Sequence, residues 1–209
     1  MYVHIWFVYI HVGSILSSNQ DSGPTGVAVS LKVDDGKSQK IKTTTSGKNG
    51  VFSFEQVLPG KYTIEASHDK WLIEPAKSNV VVDKDSVQVA KSLTVIGYDV
   101  RGRVLSDGEP TKGVKFILYS SSVSKLPAAA CNHNDVSKLP MLRNLKPLCH
   151  TTSTQTGHFL FPALPCANYF VVPFYHGENN IKFDLAPAEM AFTVSHDSLT
   201  LENVNILGK

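Results

Sequence analysis

Eight histidines, two of them followed by aspartate, are the side chains in this 209-residue sequence whose types and spacing first suggest chemistry. His68 precedes Asp69 in "SHDK", and His196 precedes Asp197 in "SHDS". An imidazole beside a carboxylate can act as a general base, but only where a nucleophile converges on it. Both pairs lie near predicted strand ends in different parts of the chain. We therefore interpret them as surface turns and predict no catalytic residue.

The same side chains do not predict a metal or cofactor site. The eight histidines and three cysteines lack the zinc-site spacings H-E-x-x-H and C-x-x-C, and no histidine begins the H-x-x-E pair of a zinc carboxypeptidase. The sequence also contains no G-x-S-x-G nucleophile elbow and no glycine-rich loop for phosphate. We expect no metal, no cofactor and no enzymatic activity.

Aromatic side chains offer one route to ligand binding, because an exposed ring can stack on a sugar. Trp71, which follows "SHDK" at a predicted strand start, is the best candidate for such a glycan platform. The alternative is that the aromatic rings fill cores and pack between domains. The candidates are Trp6, Trp71, Tyr98, Tyr119, Phe174 and Tyr175.

The composition excludes further classes of function. A formal net charge of +2 gives no strongly basic face, so we predict no nucleic-acid partner. The 42% hydrophobic content can fill a core and argues against wholesale disorder. No stretch reaches the roughly 20 apolar residues that a spanning helix needs, so we expect no direct membrane insertion by this segment.

The start of the chain, "MYVHIWFVYIHVGSIL", is apolar but contains His4 and His11. It lacks the basic region and the small-residue cleavage site of a clear signal peptide. Its aromatic and β-branched residues favour a strand. We expect residues 1–10 to be an atypical N-terminal segment, and we recognise no membrane anchor in the sequence.

Short β-branched, alternating segments dominate the rest of the chain and predict an all-β fold. Turn residues separate the segments every 8 to 12 positions or so, which is typical of a sandwich or barrel with antiparallel neighbours. No segment combines an apolar helical period with caps at both ends. The predicted strands include residues 26–33, 50–57, 61–67, 79–85 and 86–97.

The strand pattern occurs twice. Residues 45–68, "TSGKNGVFSFEQVLPGKYTIEASH", and residues 152–176, "TSTQTGHFLFPALPCANYFVVPFYH", share a polar turn, a glycine, an alternating strand, Leu-Pro and a tyrosine that opens a second strand. A catalytic centre is seldom built twice in one chain. The repeat therefore indicates two domains of one fold, which we place at residues 11–97 and 98–209.

The second copy contains an insertion. Gly26 and Gly113 are 87 positions apart, whereas Gly50 and Gly157 are 107 apart, so about 20 residues are added between them. The added residues fall in a predicted loop at about 121–150. Because insertions on rigid folds often carry contacts, this loop is the predicted special surface.

The repeated motif predicts specific turns and core residues. Gly50 and Gly157 precede strands at positions where positive φ is expected. Pro59 and Gly60 predict a type II turn. In the second copy Pro165 opens the corresponding turn, and Asn168 could supply the left-handed position there. The tyrosines that follow, Tyr62 and Tyr169, should be buried with their hydroxyls bonded to backbone.

These residues resemble the nodal modulator family, above all "YDVRGRVLSDGEPTKGVKFILYSS" (98–121) and "VVPFYHGENNIKFDLAPAEMAFTVSHDSL" (171–199). The resemblance covers about residues 11–208. It implies tandem antiparallel immunoglobulin-like β-sandwiches, similar to transthyretin-like and starch-binding domains. It also implies that the chain is a fragment of two repeats.

The resemblance further implies a setting and partners. Nodal modulator proteins are single-span proteins of the endoplasmic reticulum membrane whose repeats stand in the lumen. They act with a nicalin-type partner and a small polytopic membrane protein in a complex that assists insertion of multipass proteins at the translocon. This resemblance predicts a non-enzymatic structural and interaction segment. The alternative is a carbohydrate-binding sandwich, which exposed aromatic rings would favour.

The cysteines take their predicted roles from the same resemblance. Cys131 and Cys149 bracket the inserted loop and occur where the family's repeat carries cysteine. In an oxidising lumen they would form a disulfide, and in a reducing compartment they would be free thiols. Cys166 is left over in a turn, either as a free thiol or as a partner for a bond between chains.

Overall fold

The computed structural model describes residues 8–17, 21–34, 40–83, 87–89, 91–175 and 184–207. The predictions made for Trp6, His4 and the first seven residues of the atypical segment lie outside this part of the chain. The chain divides into two compact units, Met1–Ile96 and Gly97–Lys209. Within the described ranges, no helix has the length and apolarity needed to span a bilayer.

The first unit is built from short strands, most of which form a five-stranded sheet and a separate pair. Strands β3, β4, β6, β8 and β9 form a five-stranded antiparallel sheet in the order β4-β3-β6-β8-β9, and β1 pairs with β5. A 3₁₀ turn, Lys48–Gly50, precedes β5. The strands are β1 (Val8–Ser14), β2 (Leu16–Ser17), β3 (Ala28–Val33), β4 (Lys40–Thr45), β5 (Val51–Val57), β6 (Gly60–Ser67), β7 (Trp71–Ile73), β8 (Lys77–Val82) and β9 (Val87–Val89).

Strand β10 (Thr94–Ser106) contains the boundary between the units. In the second unit, β13-β12-β15-β17 form one antiparallel sheet, while β11, β14, β18 and β19 pair with β10, and β16 pairs with β19. The strands are β11 (Glu109–Pro110), β12 (Lys115–Tyr119), β13 (Cys149–Thr152), β14 (His158–Leu164), β15 (Ala167–Phe174), β16 (Asp184–Ala186), β17 (Met190–Val194), β18 (Leu199–Thr200) and β19 (Val204–Leu207).

The all-β prediction is confirmed, with one difference in strand direction. Most pairs are antiparallel, but β10 also pairs in parallel with β2, β18 and β19. The last of these joins Val104 to Val204. Parallel neighbours need a long connection, and these strands have one because most of a sandwich lies between them in the chain. The predicted strand 86–97 is also two strands, β9 and the start of β10.

Alternation along the strands builds the core of each unit. In β6, Tyr62, Ile64 and Ala66 are buried while their neighbours are more exposed. Phe52 and Phe54 alternate in the same way along β5. Since successive side chains of a strand point to opposite faces, one apolar face per sheet is enough to enclose a core.

A buried serine closes the turn before β5. The Ser46 hydroxyl accepts the Val27 N–H at 2.9 Å and donates to the Pro24 carbonyl oxygen at 2.8 Å. Ser46 is 2% exposed, so both bonds are shielded from water. The serine satisfies a backbone group that would otherwise be buried without a partner.

The second unit repeats this turn. The Ser153 hydroxyl accepts the Val114 N–H at 3.0 Å and donates to the Thr111 carbonyl oxygen at 2.8 Å. Gly50 and Gly157 follow the two serines and adopt φ of 76° and 74°. A left-handed conformation at these points has the lowest steric cost for glycine.

A tyrosine spans the corner where each chain segment passes from one sheet to the other. Tyr62 donates a hydrogen bond to the Leu58 carbonyl oxygen at 2.7 Å, and Tyr169 donates one to the Pro165 carbonyl oxygen at 3.0 Å. Burial raises the pKa of both phenols, most strongly for Tyr169. The two copies therefore share one tyrosine corner.

The type II turn predicted at Pro59 and Gly60 is wrong. Gly60 lacks positive φ and begins β6, and Asn168 does not adopt the left-handed conformation in the second copy. The left-handed residues are Gln56 (φ 52°) and Ala163 (φ 57°), each at a bulge in the preceding strand. The chain changes sheets here instead of reversing as a hairpin, and a bulge redirects a strand in that way.

Candidate functional site: the insertion of the second sandwich

The strongest difference between the two sandwiches is the connection between β12 and β13. It occupies residues 120–148, which we call the insertion, whereas positions 34–39 connect β3 to β4 in the first sandwich. The insertion contains a 3₁₀ turn, Val136–Lys138, and an isolated bridge between Leu142 and Leu145. It is otherwise irregular, so its shape depends on contacts with the sheet.

The sheet below the insertion is apolar on both faces. In β12 the four residues Phe116–Tyr119 are all buried, with Ile117 and Tyr119 each 1% exposed on the outer face. Ile117 pairs with Val172 of β15, and Tyr119 pairs with Phe170. Such a face needs a cover because apolar area exposed to water costs free energy.

The insertion supplies that cover. Tyr119 donates a hydrogen bond to the Pro140 carbonyl oxygen at 2.7 Å, so the ring is held beneath the insertion. Leu126 is 7% exposed, and Ala130 is fully buried. These contacts make the insertion a third layer on the outer face of the four-stranded sheet.

An arginine fixes the far end of this layer. The Arg143 guanidinium lies 3.0 Å from a Glu189 carboxylate oxygen, and its central carbon lies 5.4 Å above the Phe170 ring. The ion pair ties the insertion to the segment before β17, and the cation–π contact ties it to β15.

A disulfide ties the middle of the insertion to β13. The predicted bond between Cys131 and Cys149 is present, with Cα atoms 5.8 Å apart. Beside it, Asn132 and His150 exchange two backbone hydrogen bonds of 3.0 Å each. The His150 ring donates through Nε2 to the Asn134 carbonyl oxygen at 3.1 Å. Through Nε2, the imidazole helps to hold the loop.

The first turn of the insertion is organised by Ser120. Its hydroxyl donates to the Asn168 carbonyl oxygen at 2.7 Å. The same oxygen accepts the backbone N–H groups of Ser122 and Val123 at 3.1 and 3.2 Å. A turn of this kind directs the chain away from the end of β12 without leaving buried backbone groups unpaired.

Between its first turn and its return to β13, the insertion encloses a cleft of about 720 Å³. Apolar side chains line much of it, including Val123, Leu126 and Leu145, and two exposed cations, Lys125 and Lys146, also line it. Small-molecule and cofactor sites fall in the range of about 300–1,000 Å³. The volume of this cleft lies within that range, so the cleft is a candidate site for a ligand.

The two His-Asp pairs lie outside the insertion, and each makes a local backbone contact. His68 accepts the Lys70 N–H through Nδ1 at 3.2 Å, and Asp197 accepts the Ser198 N–H at 2.7 Å. Both are local turn contacts. In the described part of the chain, no three His, Cys, Asp or Glu side chains are grouped so that they could hold a metal ion.

Trp71, the predicted glycan platform, is partly exposed and begins β7. The His68 ring stacks on it with centroids 3.6 Å apart and planes 17° apart. This stack occupies one face that a sugar ring would otherwise use. Of the other aromatic candidates, Tyr98 and Tyr119 are buried in the second unit. Carbohydrate binding through Trp71 stays a prediction.

Cys166 is a free thiol at the tyrosine corner of the second unit. It donates to the Ser195 carbonyl oxygen at 2.9 Å, and burial raises its pKa. A raised pKa lowers the fraction of reactive thiolate at neutral pH. This environment favours the free-thiol alternative over pairing between chains.

Two family models match the chain, and together they cover nearly all of it. The model described as BOS complex subunit NOMO1-like, second beta sandwich domain, matches residues 9–96. The model described as NOMO third transthyretin-like domain matches residues 98–206. The two tandem sandwiches predicted from the sequence are thereby confirmed.

Curated relatives give the same result. BOS complex subunit NOMO3 of Homo sapiens and BOS complex subunit NOMO1 of Mus musculus are each 46% identical to this chain over 193 residues, which is 92% of its length. The chain spans 16% of the length of each relative.

Among solved structures, the minor pilin GBS52 of Streptococcus agalactiae is 14% identical to this chain, with a TM-score of 0.38. The match covers 100% of this chain and 94% of the pilin chain. The Bacillus anthracis TIE protein is 11% identical to this chain, with a TM-score of 0.39. The match covers 94% of this chain and 34% of the TIE protein chain. Similarity this low carries no argument about function. The family models and the curated relatives decide the assignment: the chain belongs to the nodal modulator family, whose curated members carry the name BOS complex subunit.

Proposed function

We propose that this chain is a non-enzymatic interaction segment of a nodal modulator-like protein of the endoplasmic reticulum membrane, and that its two sandwiches stand in the lumen. In this role they present a fixed surface to the complex that assists insertion of multipass proteins at the translocon. The segment performs no chemistry of its own. Its partners are a nicalin-type protein and a small polytopic membrane protein.

The disulfide between Cys131 and Cys149 is the observation that carries the lumenal placement. Disulfides persist in oxidising compartments such as the lumen of the reticulum and are rare in reducing ones. Here the bond is part of the packing, because it holds the insertion against an otherwise uncovered apolar sheet. A reducing compartment would remove one of the attachments on which the insertion depends.

The interaction role is supported by the contrast between the two outer sheet faces. Among the residues that the structure describes, an added layer is found on the second sandwich, and disulfide, arginine and serine contacts hold that layer in one shape. A surface whose shape is fixed before binding loses less conformational entropy when a partner docks. The proposal therefore assigns partner contact to the second sandwich.

Affinity capture from gently solubilised reticulum membranes tests the role. The full-length protein that contains this segment is compared with a version lacking residues 11–208 and with one lacking only residues 11–96. We expect the intact protein and the shorter deletion to recover a nicalin-type partner, and the longer deletion to lose it. Equal recovery by all three proteins would contradict the proposed docking role.

A further inference from the structure

The net positive charge of the chain is concentrated in the insertion. Residues 120–148 contain four basic residues (Lys125, Lys138, Arg143 and Lys146) and one acidic residue, Asp135, for a net charge of +3. The whole chain has a net charge of +2, so the remainder carries −1. The insertion is thus a local cationic surface on a nearly neutral protein, and such a surface attracts acidic partners.

Two of the four cations are already paired. Lys138 lies 2.7 Å from an Asp135 carboxylate oxygen, and Arg143 lies 3.0 Å from Glu189. Lys125 and Lys146 make no ion pair with any residue of the described ranges, and both line the cleft. The unpaired positive charge of the insertion is therefore directed to one concave surface.

The cleft also has an apolar wall. Val123, Leu126, Leu145 and Leu148 line it, and no Asp or Glu does so in the part of the chain that the structure describes. A free inorganic anion would leave this wall unused, and a flat anionic bilayer would not enter a concave surface. A chain segment that alternates acidic and apolar side chains matches both features.

We propose that the cleft of the insertion binds an extended peptide segment of a partner protein in which carboxylates are interspersed with apolar side chains. The carboxylates pair with Lys125 and Lys146, while the apolar side chains pack against the leucines of the wall. The disulfide and the Ser120 turn preform the cleft, so little ordering is required when the peptide binds. This inference rests on the proposed interaction role and names the chemistry of the partner.

Fluorescence anisotropy with the 209-residue chain and labelled short peptides tests the inference. The acidic probe contains Glu, Leu and Ser, and matched probes replace every Glu by Gln or by Lys. We expect saturable binding of the acidic probe alone, which weakens as salt is added. The double substitution Lys125→Glu and Lys146→Glu should weaken binding by at least about tenfold, because the charge pairs become repulsive.

The matched control is Lys40→Glu with Lys61→Glu, which changes the net charge equally on exposed residues of the first sandwich. It should retain the affinity of the unmodified chain. Equal weakening by both double variants, equal binding of the three probes, or binding to phosphatidylserine vesicles that the acidic peptide does not displace would each overturn the inference.

Capture experiments separate this inference from the proposed function. If the full-length protein with Lys125→Glu and Lys146→Glu still recovers a nicalin-type partner but the segment binds no acidic probe, the cleft inference fails and the interaction role stands. If the acidic probe binds through the two lysines, the cleft inference holds whatever complex the full-length protein recovers.

Discussion

The two sandwiches have nearly the same interior, but their outer sheet faces have opposite polarity. At equivalent positions of the outer sheet face, the first sandwich has Ser30 and Lys32 where the second has Ile117 and Tyr119. The first pair is partly exposed, and the second is buried beneath the insertion. An inserted loop has therefore become part of the fold, because the sheet beneath it has exchanged polar residues for apolar ones.

The features that both sandwiches share are the parts of the repeated motif that the insertion leaves unchanged. The serine turn and the tyrosine corner occur in both sandwiches with hydrogen-bond lengths that differ by at most 0.3 Å. The two serines and the two tyrosines are all buried. The fold of each sandwich is thus specified by its inner face and corners, and the outer face is free to acquire a separate role.

Truncation at one pair of equivalent positions should give the largest contrast between the sandwiches. Tyr119→Ala removes a ring buried under the insertion and its bond to the Pro140 carbonyl oxygen. Loss of a large buried aromatic side chain costs about 3–5 kcal/mol. Lys32→Ala, at the equivalent and partly exposed position, should cost no more than about 1 kcal/mol.

Urea unfolding followed separately in each sandwich measures this contrast. Both tryptophans precede residue 97, so tryptophan fluorescence reports the first unit, while hydrogen exchange resolves the second. Comparable losses from Tyr119→Ala and Lys32→Ala would mean that the insertion does not act as a layer of the fold.

Removal of the disulfide should produce the next largest effect. Cys131→Ser with Cys149→Ser opens a loop whose ends are 18 positions apart in sequence. The chain-entropy account assigns about 3 kcal/mol to a loop of this size. We expect the second sandwich alone to lose this stability in urea unfolding, and Cys166→Ser to leave it nearly unchanged. If the first sandwich lost as much, the bond would not act locally.

Substitution of the serines tests the shared part of the two copies. Ser46→Ala and Ser153→Ala each leave a buried valine N–H without its acceptor, at a cost of about 1–3 kcal/mol. Because the two turns have the same bonds, we expect the two losses to agree within about 0.5 kcal/mol. An exposed serine changed in the same way, Ser67→Ala, is the control. A large difference between the two turns would show that the insertion influences the interior.

The repeat and most strands could be predicted from the sequence because alternation and turn residues are local signals. The glycine spacings also located the insertion. The sequence comparison, however, matched the Leu-Pro pairs of the two copies with each other, and this misplaced the corner by one residue. In the structure the carbonyl oxygens of Leu58 and Pro165 accept the equivalent tyrosine hydrogen bonds, so Leu58 corresponds to Pro165. The left-handed Ala163 could not be predicted, because alanine has no preference for positive φ and tertiary contacts impose it.

The candidate site was less accessible to sequence analysis than the fold. The run "KFILY" of β12 could have indicated a strand covered on both faces, because such strands are continuously apolar rather than alternating. The cleft itself has no sequence signature. It depends on where irregular backbone places Lys125 and Lys146, and that placement is set by long-range contacts such as the disulfide, the Arg143 contacts and the Ser120 turn.

The smallest predicted contrast is a pH dependence confined to the first sandwich. Hydrogen bonds from Lys32 and Lys77 lower the pKa of the Glu65 carboxyl below its ordinary value, and the equivalent position in the second sandwich is the uncharged Val172. A lowered folded-state pKa means that the ionised carboxylate stabilises the fold above the unfolded-state pKa, and that this contribution disappears as the pH falls through the folded-state value. For a partly exposed group the contribution should be below about 1 kcal/mol.

Glu65→Gln should therefore reduce the loss of stability of the first sandwich between neutral pH and about pH 3, which urea unfolding at the two pH values measures. The second sandwich should respond equally in the two proteins. If it did not, the two outer faces would not be independent, and the contrast between them would lose its basis.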